Sequence, residues 1–311
     1  MTTVALNSSV PAVVVAGYIA QDVIIQSESD PTREDFSRGR VTFAVGGSGA
    51  NVAAWLAWTG AAVELVGVTG ADAHADALIG DFEATGATAT VARALRAPVV
   101  ASVIDAGGDR HLVLDAGGPF NNVPFPLPHR RPAWLHIPGF LLYRDDLQQQ
   151  TLALAANVRP TAPISVDLSS GYLIRTLGGS KILSLLSEVA PETVIMNEDE
   201  AEAMAKSCQP EQLAPRVVIH RGAKASRVYT AVGWFETSAG IRKDLRPLDA
   251  TGAGDAFAAG YIAGIMRGMG EPAAIEFGHI LAQIVITMPG GQPPLHDILD
   301  LARTGLSNSP P

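Results

Sequence analysis

The sequence predicts an α/β protein with a mainly parallel central sheet flanked by helices, and a small β-sheet inserted into that body. Three observations carry the prediction. Short β-branched runs alternate with Ala- and Leu-rich segments of helical length, the pattern of successive βαβ units. Apolar side chains make up 47% of the 311 residues and charged ones only 17%, against roughly 25% in an average globular chain. Two strand-like runs near residue 100, joined by a glycine-containing turn, interrupt the alternation.

In chain order, Val13 to Ile19 reads as a buried strand, Asn51 to Trp58 as a helix and Ala62 to Val68 as a strand. Ala75 to Thr85 is helical and stops at Gly86, as helix C-termini commonly do. Strands Trp134 to Ile137 and Ile164 to Asp167 enclose a helix from Asp145 to Asn157. Val194 to Met196 is a strand, Glu198 to Lys206 a helix, and Val217 to His220 another strand. Two long helices follow, Gly254 to Arg267 and Ala273 to Thr287. Val23 to Val45 reads as polar and irregular. Pro98 to Ile104 and His111 to Leu114, linked by Asp105 to Arg110, read as a hairpin. Segments 23–45 and 96–120 are expected to form a small antiparallel sheet acting as a lid on one domain over 1–306, with 307–311 a loose tail.

Charge narrows the partners. With 22 basic and 31 acidic residues, the formal charge is -9, and no run of Lys or Arg offers a footprint for nucleic acid or an anionic membrane. His129-Arg130-Arg131 is the most basic local cluster and reads as a solvated loop. One cysteine, Cys208, leaves no disulfide and no Cys-cluster zinc site, which fits a reducing, cytoplasmic setting. Val4 to Ile25 is apolar, but its first basic residue comes only at Arg33 and Asp22 interrupts it. Val41 to Val63 is uncharged, yet its glycines leave about a dozen apolar-rich residues, short of the ~20 that span a bilayer. Neither is expected to enter a membrane.

The chemistry concentrates in Asp249-Ala250-Thr251-Gly252-Ala253-Gly254-Asp255 at the start of a long helix. Glycines there leave the N–H groups of residues 252 to 255 uncovered, and with the helix dipole these make an anion site. An aspartate at such a spot repels a phosphate unless it handles the attacking group. Phosphoryl transfer reconciles the two: the N–H groups hold phosphoryl oxygens while Asp255 orients and deprotonates an acceptor hydroxyl. The dipole is expected to keep Asp255 ionised. The plain alternative is a glycine-rich helix start with an acidic first turn.

Asp249 to Asp255 closely resembles the C-terminal signature of the ribokinase-like (PfkB) carbohydrate kinases, and Gly46-Gly47-Ser48-Gly49-Ala50-Asn51 resembles their N-terminal glycine motif. Further landmarks are Gly17 to Asp22, Pro138-Gly139, Asn197 to Glu200 and Gly290-Gly291, so the resemblance spans nearly the whole chain. It implies a ribokinase-like fold and an ATP- and Mg²⁺-dependent kinase acting on a hydroxyl, expected to be a primary one, of a small sugar or sugar acid. It implies Asp255 as base, with the backbone of Gly252, Ala253 and Gly254 as anion hole. Asp249, with the Thr251 backbone, matches a position associated with a monovalent cation such as K⁺. Asp22, Gly46, Gly47 and Asn51 match acceptor-binding positions, in keeping with glycines that admit a polyol and an amide that both donates and accepts. Asn197, Gly222, Thr251 and His279 fall near the nucleotide, and Glu200 matches an indirect Mg²⁺ position. Asn197 with Glu200 also reads as a capping box, and His279 also reads as a packed helix residue. In relatives such lids pair two subunits, so a homodimer is expected.

The chain departs from the pattern after Val217 to His220, where Ala225 replaces the second glycine of a Gly-x-x-Gly segment. Alternatives within the fold are a nucleoside or vitamin kinase, with Phe36, Phe43 and Phe120 as the obvious lid aromatics. Outside it stands a non-catalytic sugar-binding protein. A dinucleotide oxidoreductase fits poorly, because the Gly-x-Gly-x-x-Gly patterns beginning at Gly47 and Gly252 end on Val52 and Phe257. A P-loop kinase lacks its Gly-x-x-x-x-Gly-Lys-Ser/Thr string altogether.

Overall fold

The computed structural model describes residues 11–29, 35–104, 110–121, 123–238, 240, 245 and 247–294. The tail at 307–311 and the turn at 105–109 lie outside them. From the N-terminus, β1 (Ala12–Tyr18), β2 (Ala20–Ser27) and β3 (Gly39–Gly46) lead into α1 (Ser48–Trp58). There follow β4 (Val63–Thr69), α2 (Ala73–Glu83), β5 (Thr88–Arg93), β6 (Val99–Ile104) and β7 (Arg110–Asp115). Next come β8 (Pro132–Pro138), α3 (Gly139–Tyr143), α4 (Gln148–Val158), β9 (Ile164–Asp167), α5 (Gly171–Leu177) and α6 (Gly179–Val189). The chain closes with β10 (Thr193–Asn197), α7 (Glu198–Met204), β11 (Arg216–Arg221), β12 (Lys224–Thr230), β13 (Gly233–Thr237), α8 (Ala253–Met266) and α9 (Glu271–Val285).

Nine strands form one sheet in the order β13-β12-β11-β10-β9-β8-β1-β4-β5. Pairing is parallel from β11 to β5, and β12 and β13 add an antiparallel edge. β1 is buried along its whole length because both sheet faces are covered. Val14 and Ala16 pack with residues of α3 to α7 on one side, while Val13 and Val15 pack with α1, α2, α8 and α9 on the other. This alternation is what period-2 side-chain placement produces in a strand between two helical layers. From β1 the chain builds outward through β4 on one side and through β8 on the other. That reversal opens a crevice beyond the carboxyl ends of β1 and β8, the place where open α/β sheets bind ligands.

A second sheet, ordered β3-β2-β6-β7, stands over that crevice. It corrects two expectations. The segment Val23 to Val45 is not irregular: most of its described residues belong to β2 and β3, paired over eight positions. The sheet is also mixed rather than antiparallel, since β2 runs parallel to β6. Its outer strands β3 and β7 are largely exposed, and β2 buries the polar Gln21 and Asp22 beside Ile24, so period-2 patterning is weak there. Helix boundaries shift as well. α1 begins three residues early, on Gly47, and α4 starts late because Asp146 is engaged by Arg144 (2.9 and 2.7 Å) and by the Phe120 N–H (3.0 Å). No helix among the described residues is long and apolar enough to cross a membrane.

Candidate active site

A cavity of about 480 Å³ occupies the crevice. Strand ends supply its floor: Tyr18 closes β1, Asp167 closes β9, Asn197 closes β10, and His220 is the last residue but one of β11. The second sheet supplies Asp22, Ile24, Val100, Ser102, Leu112 and Leu114. The start of α8, residues 250 to 255, closes the remaining side.

Gly252 caps α8 in the left-handed region, with φ at 74°. A side chain is excluded there, because a Cβ would lie 2.5 Å from Gly291 Cα. The Ala253 N–H already donates to the Ala250 carbonyl at 3.3 Å. Among the described residues, the N–H groups of Gly252, Gly254 and Asp255 at the helix start have no hydrogen-bond partner. One helical turn presents these donors and the Asp255 carboxylate together.

Asp255 is held by residues more than 200 positions away. Ser48 Oγ donates to its Oδ1 at 2.6 Å and Asn51 Nδ2 to its Oδ2 at 2.9 Å. Burial nevertheless pushes Asp255 above the ordinary carboxylate range, with these two bonds opposing. Burial thus acts against the helix dipole that the sequence points to, and it outweighs the two bonds. A raised carboxylate is a better proton acceptor.

Asp22, Gly47 and Asn51 line the same cavity, and Gly46 lies directly against Asp22. A Cβ on Gly46 would fall 2.0 Å from Asp22 Oδ1, so glycine is what lets this carboxylate stand where it does. Asn51 Oδ1 is buried with no hydrogen-bond partner among the described residues.

Asn197 and Glu200 form the capping box in full, with Glu200 N–H to Asn197 Oδ1 at 2.9 Å and Asn197 N–H to Glu200 Oε2 at 2.9 Å. Both residues also line the cavity, so the capping and site readings coexist. Burial first, then the charge of nearby Asp167, raises Glu200 to about 8. Asp167 rises to about 7 through burial and the charge of Asp255. These buried carboxylates have no Lys or Arg beside them among the described lining residues.

Thr251 lines the cavity, whereas Asp249 works behind it. The Asp249 carboxylate accepts the Thr251 N–H (2.9 Å), the Thr251 hydroxyl (2.6 Å) and the Gly290 N–H (3.1 Å), tying the motif to the glycine pair near the end. His279 is not part of the lining. It is buried against Phe257, with Nε2 2.8 Å from Ser226 Oγ. Gly222 sits outside the lining too, in the exposed β11–β12 turn at φ 57°. Neither lines this cavity.

With this geometry in place, sequence comparison is decisive. The profile described as pfkB family carbohydrate kinase matches residues 10–298. The chain belongs to that family. This PfkB chain is 42% identical over 71 residues to a 5-dehydro-2-deoxygluconokinase of Geobacillus thermodenitrificans, covering 23% of the chain and 20% of the relative. It is 28% identical over 250 residues to the bifunctional protein HldE of Pseudomonas putida, covering 77% and 52%. The chain thus spans about half, or less, of the length of these curated relatives. Among solved structures, a probable sugar kinase of Rhizobium etli superposes with a TM-score of 0.78 at 19% identity, covering 95% of this chain and 98% of that one. An adenosine kinase of Sinorhizobium meliloti gives 0.76 at 19% identity, covering 94% and 99%. These likenesses establish the ribokinase-like fold.

Several lining residues of this PfkB chain escaped the sequence reading. Ser48 lies inside the quoted glycine motif, but its partner is 207 positions away. Asp167 ends a recognised strand, and a carboxylate at the carboxyl end of a parallel strand is itself a signal. Tyr18 ends β1 the same way. Phe140 follows Pro138-Gly139.

Proposed function

We propose that the chain is an ATP-dependent kinase that phosphorylates a hydroxyl, a primary one, of a small sugar or sugar acid. One observation carries the reading: a desolvated carboxylate, Asp255, shares the first turn of α8 with N–H donors that have no partner among the described residues, is bonded by Asn51, and lines one cavity with Asp22. In the step, the acceptor oxygen forms a bond to the γ-phosphorus, the bond to ADP breaks, and the hydroxyl proton passes to Asp255. Gly252, Gly254 and Asp255 N–H groups hold the phosphoryl oxygens. Asp22 and Asn51 orient the acceptor, and a hydroxyl reaching Asn51 Oδ1 satisfies an otherwise orphaned acceptor. The second sheet closes over the acceptor and excludes water.

The Asp167 and Glu200 carboxylates fit a divalent cation, because their mutual repulsion and burial go uncompensated in the protein alone. Glu200, with Asp167, would hold Mg²⁺ through water, and the ion would neutralise phosphate charge. K⁺ near Asp249, a cytoplasmic location and pairing of two copies through the second sheet belong to the same proposal. For that pairing, Val41, Phe43 and Val113 are exposed on the side opposite Ile24 and Leu114.

A nucleoside acceptor is the second reading, favoured by the apolar side chains Ile24, Val100, Leu112, Leu114 and Phe140 in the lining. Against it, Phe36 and Phe43 are exposed and Phe120 is buried, and none of them lines the cavity. ADP release across pentoses, hexoses, sugar acids, nucleosides and pyridoxal, with and without K⁺, separates these readings. A flat panel overturns the kinase in favour of a binding protein.

A further inference from the structure

The Tyr18 phenol has no role in the reading above, yet it closes β1 and lines the cavity. Tyr18 is only 8% exposed, and its hydroxyl has no hydrogen-bond partner among the described residues. A buried phenol ordinarily finds a partner, so one left unpaired in a cavity wall points to a ligand. The ring belongs to the acceptor half of the site. It lies against Gly47 of the glycine motif, and the charges of Asp22 and Asp255 both act on it. Arg144 packs over the ring, its guanidinium carbon 5.7 Å from the centroid. That guanidinium is itself held by both oxygens of Asp146, at 2.9 and 2.7 Å, and does not line the cavity.

Hydrogen-bonding capacity around this ring is one-sided. Ser48 Oγ and Asn51 Nδ2 donate to Asp255, which leaves Asn51 Oδ1 beside the carboxylates of Asp22 and Asp255. Those oxygens take protons from sugar hydroxyls and offer none in return. A sugar also presents oxygens that need a donor. Burial pushes the Tyr18 phenol above its ordinary value, so it keeps its proton at neutral pH and has one to offer. We infer that Tyr18 is a specificity-determining residue whose O–H donates to an uncharged oxygen of the phosphate acceptor, a hydroxyl, carbonyl or ring oxygen. This rests on the kinase reading. A carboxylate of the acceptor does not suit the position: it would stand beside Asp22 and Asp255, with the Arg144 guanidinium already tied to Asp146.

The test uses the full chain with ATP and Mg²⁺, and as acceptor the best-used member of the panel of pentoses, hexoses, sugar acids and nucleosides. Tyr18→Phe keeps the ring against Gly47 and Arg144 and removes only the hydroxyl; Tyr18→Met gives the same comparison should the Phe variant not fold. The acceptor kcat/KM is expected to fall about tenfold, the loss of one hydrogen bond, while the KM for ATP stays within about twofold. Deoxy and carbocyclic analogues of that acceptor locate the oxygen. One of them should lose about tenfold with the wild type and nothing further with Tyr18→Phe, because the two changes remove the same bond. An unchanged acceptor kcat/KM in the variant overturns the inference, as does equal weakening of ATP, or analogue losses that all persist in Tyr18→Phe. A sugar acid preferred over its neutral counterpart, with that preference lost in Tyr18→Phe, overturns the uncharged oxygen. A wild-type chain that releases ADP with no member of the panel overturns the kinase reading instead, and the role of Tyr18 with it.

Discussion

Asp255→Asn tests the base while nearly preserving its surroundings. In the wild type, Ser48 Oγ and Asn51 Nδ2 donate to the two carboxylate oxygens at 2.6 and 2.9 Å. In the variant the amide oxygen keeps the Ser48 bond, and its NH₂ faces Asn51. Asn51 Oδ1, buried and unpartnered, accepts from that NH₂ after the Asn51 amide turns over. The number of bonds is then conserved. Exchanging two charge-assisted bonds for neutral ones costs about 2–3 kcal/mol. Removing a buried charge offsets that loss, since burial outweighs the hydrogen bonds in raising Asp255. Apo stability should therefore change by less than about 1 kcal/mol, a Tm shift within about 4 °C. Turnover should fall by about 10²–10⁴, the contribution of general-base catalysis. The assay is ADP release at saturating acceptor, beside a thermal melt and nucleotide titration. A kcat within tenfold of wild type refutes the base. A Tm drop beyond about 8 °C refutes the amide-turnover argument.

Gly252→Ala places a Cβ 2.5 Å from Gly291 Cα in a left-handed residue, so the 290–291 segment must move, straining the Trp55 Nε1 bond to Gly291 O at 2.9 Å. Stability should drop by at least about 1–2 kcal/mol from the backbone alone, and kcat by about 10²–10³, as when one anion-hole donor is lost; wild-type kinetics would contradict the placement of phosphate. Gly46→Ala displaces the Asp22 carboxylate, so the acceptor KM should rise about tenfold or more with nucleotide affinity unchanged. Asp167 and Glu200 have folded pKa values of about 7 and 8, above their unfolded ones, so the folded chain holds extra protons between the ordinary carboxylate range and about pH 8. Their contribution to stability is complete below that range and is lost as pH rises through 7 to 8. The apo Tm should fall accordingly, and the slope should flatten in Asp167→Asn; an unchanged slope rejects the assignment.

The parts of this site legible in the sequence are those a local string specifies. Gly252 to Asp255 announces a helix start with exposed donors because capping and glycine placement are decided within one turn. Asn197 and Glu200 announce a capping box for the same reason. Non-local relations stayed hidden. Nothing near Ser48 says that its hydroxyl meets Asp255, and nothing near Asp167 says that Asp255 and Glu200 will share its cavity. The pull on Asp255 divides in the same way: the dipole at its own helix start is local and readable, whereas the burial that raises its pKa depends on residues distant in sequence. β2 and β3 escaped because β2 buries the polar Gln21 and Asp22 beside Ile24, while β3 is mostly exposed before Val45 and Gly46, so neither shows clean alternation.

Net charge is the property whose meaning the structure changes most. A chain of -9 with Asp22, Asp167, Glu200 and Asp255 around one cavity, and no Lys or Arg among the described lining residues, is a poor electrostatic host for a polyphosphate. Two devices offset this. Backbone N–H groups at the start of α8 act at contact distance, where a fixed dipole matters more than distant net charge. In the proposed reading, Asp167 and Glu200 would hold a divalent cation through water, and the ion would supply positive charge that offsets the acidic wall. On that reading the carboxylates that oppose bare phosphate would couple nucleotide binding to the cation, and Asp255 would be left as the proposed proton acceptor.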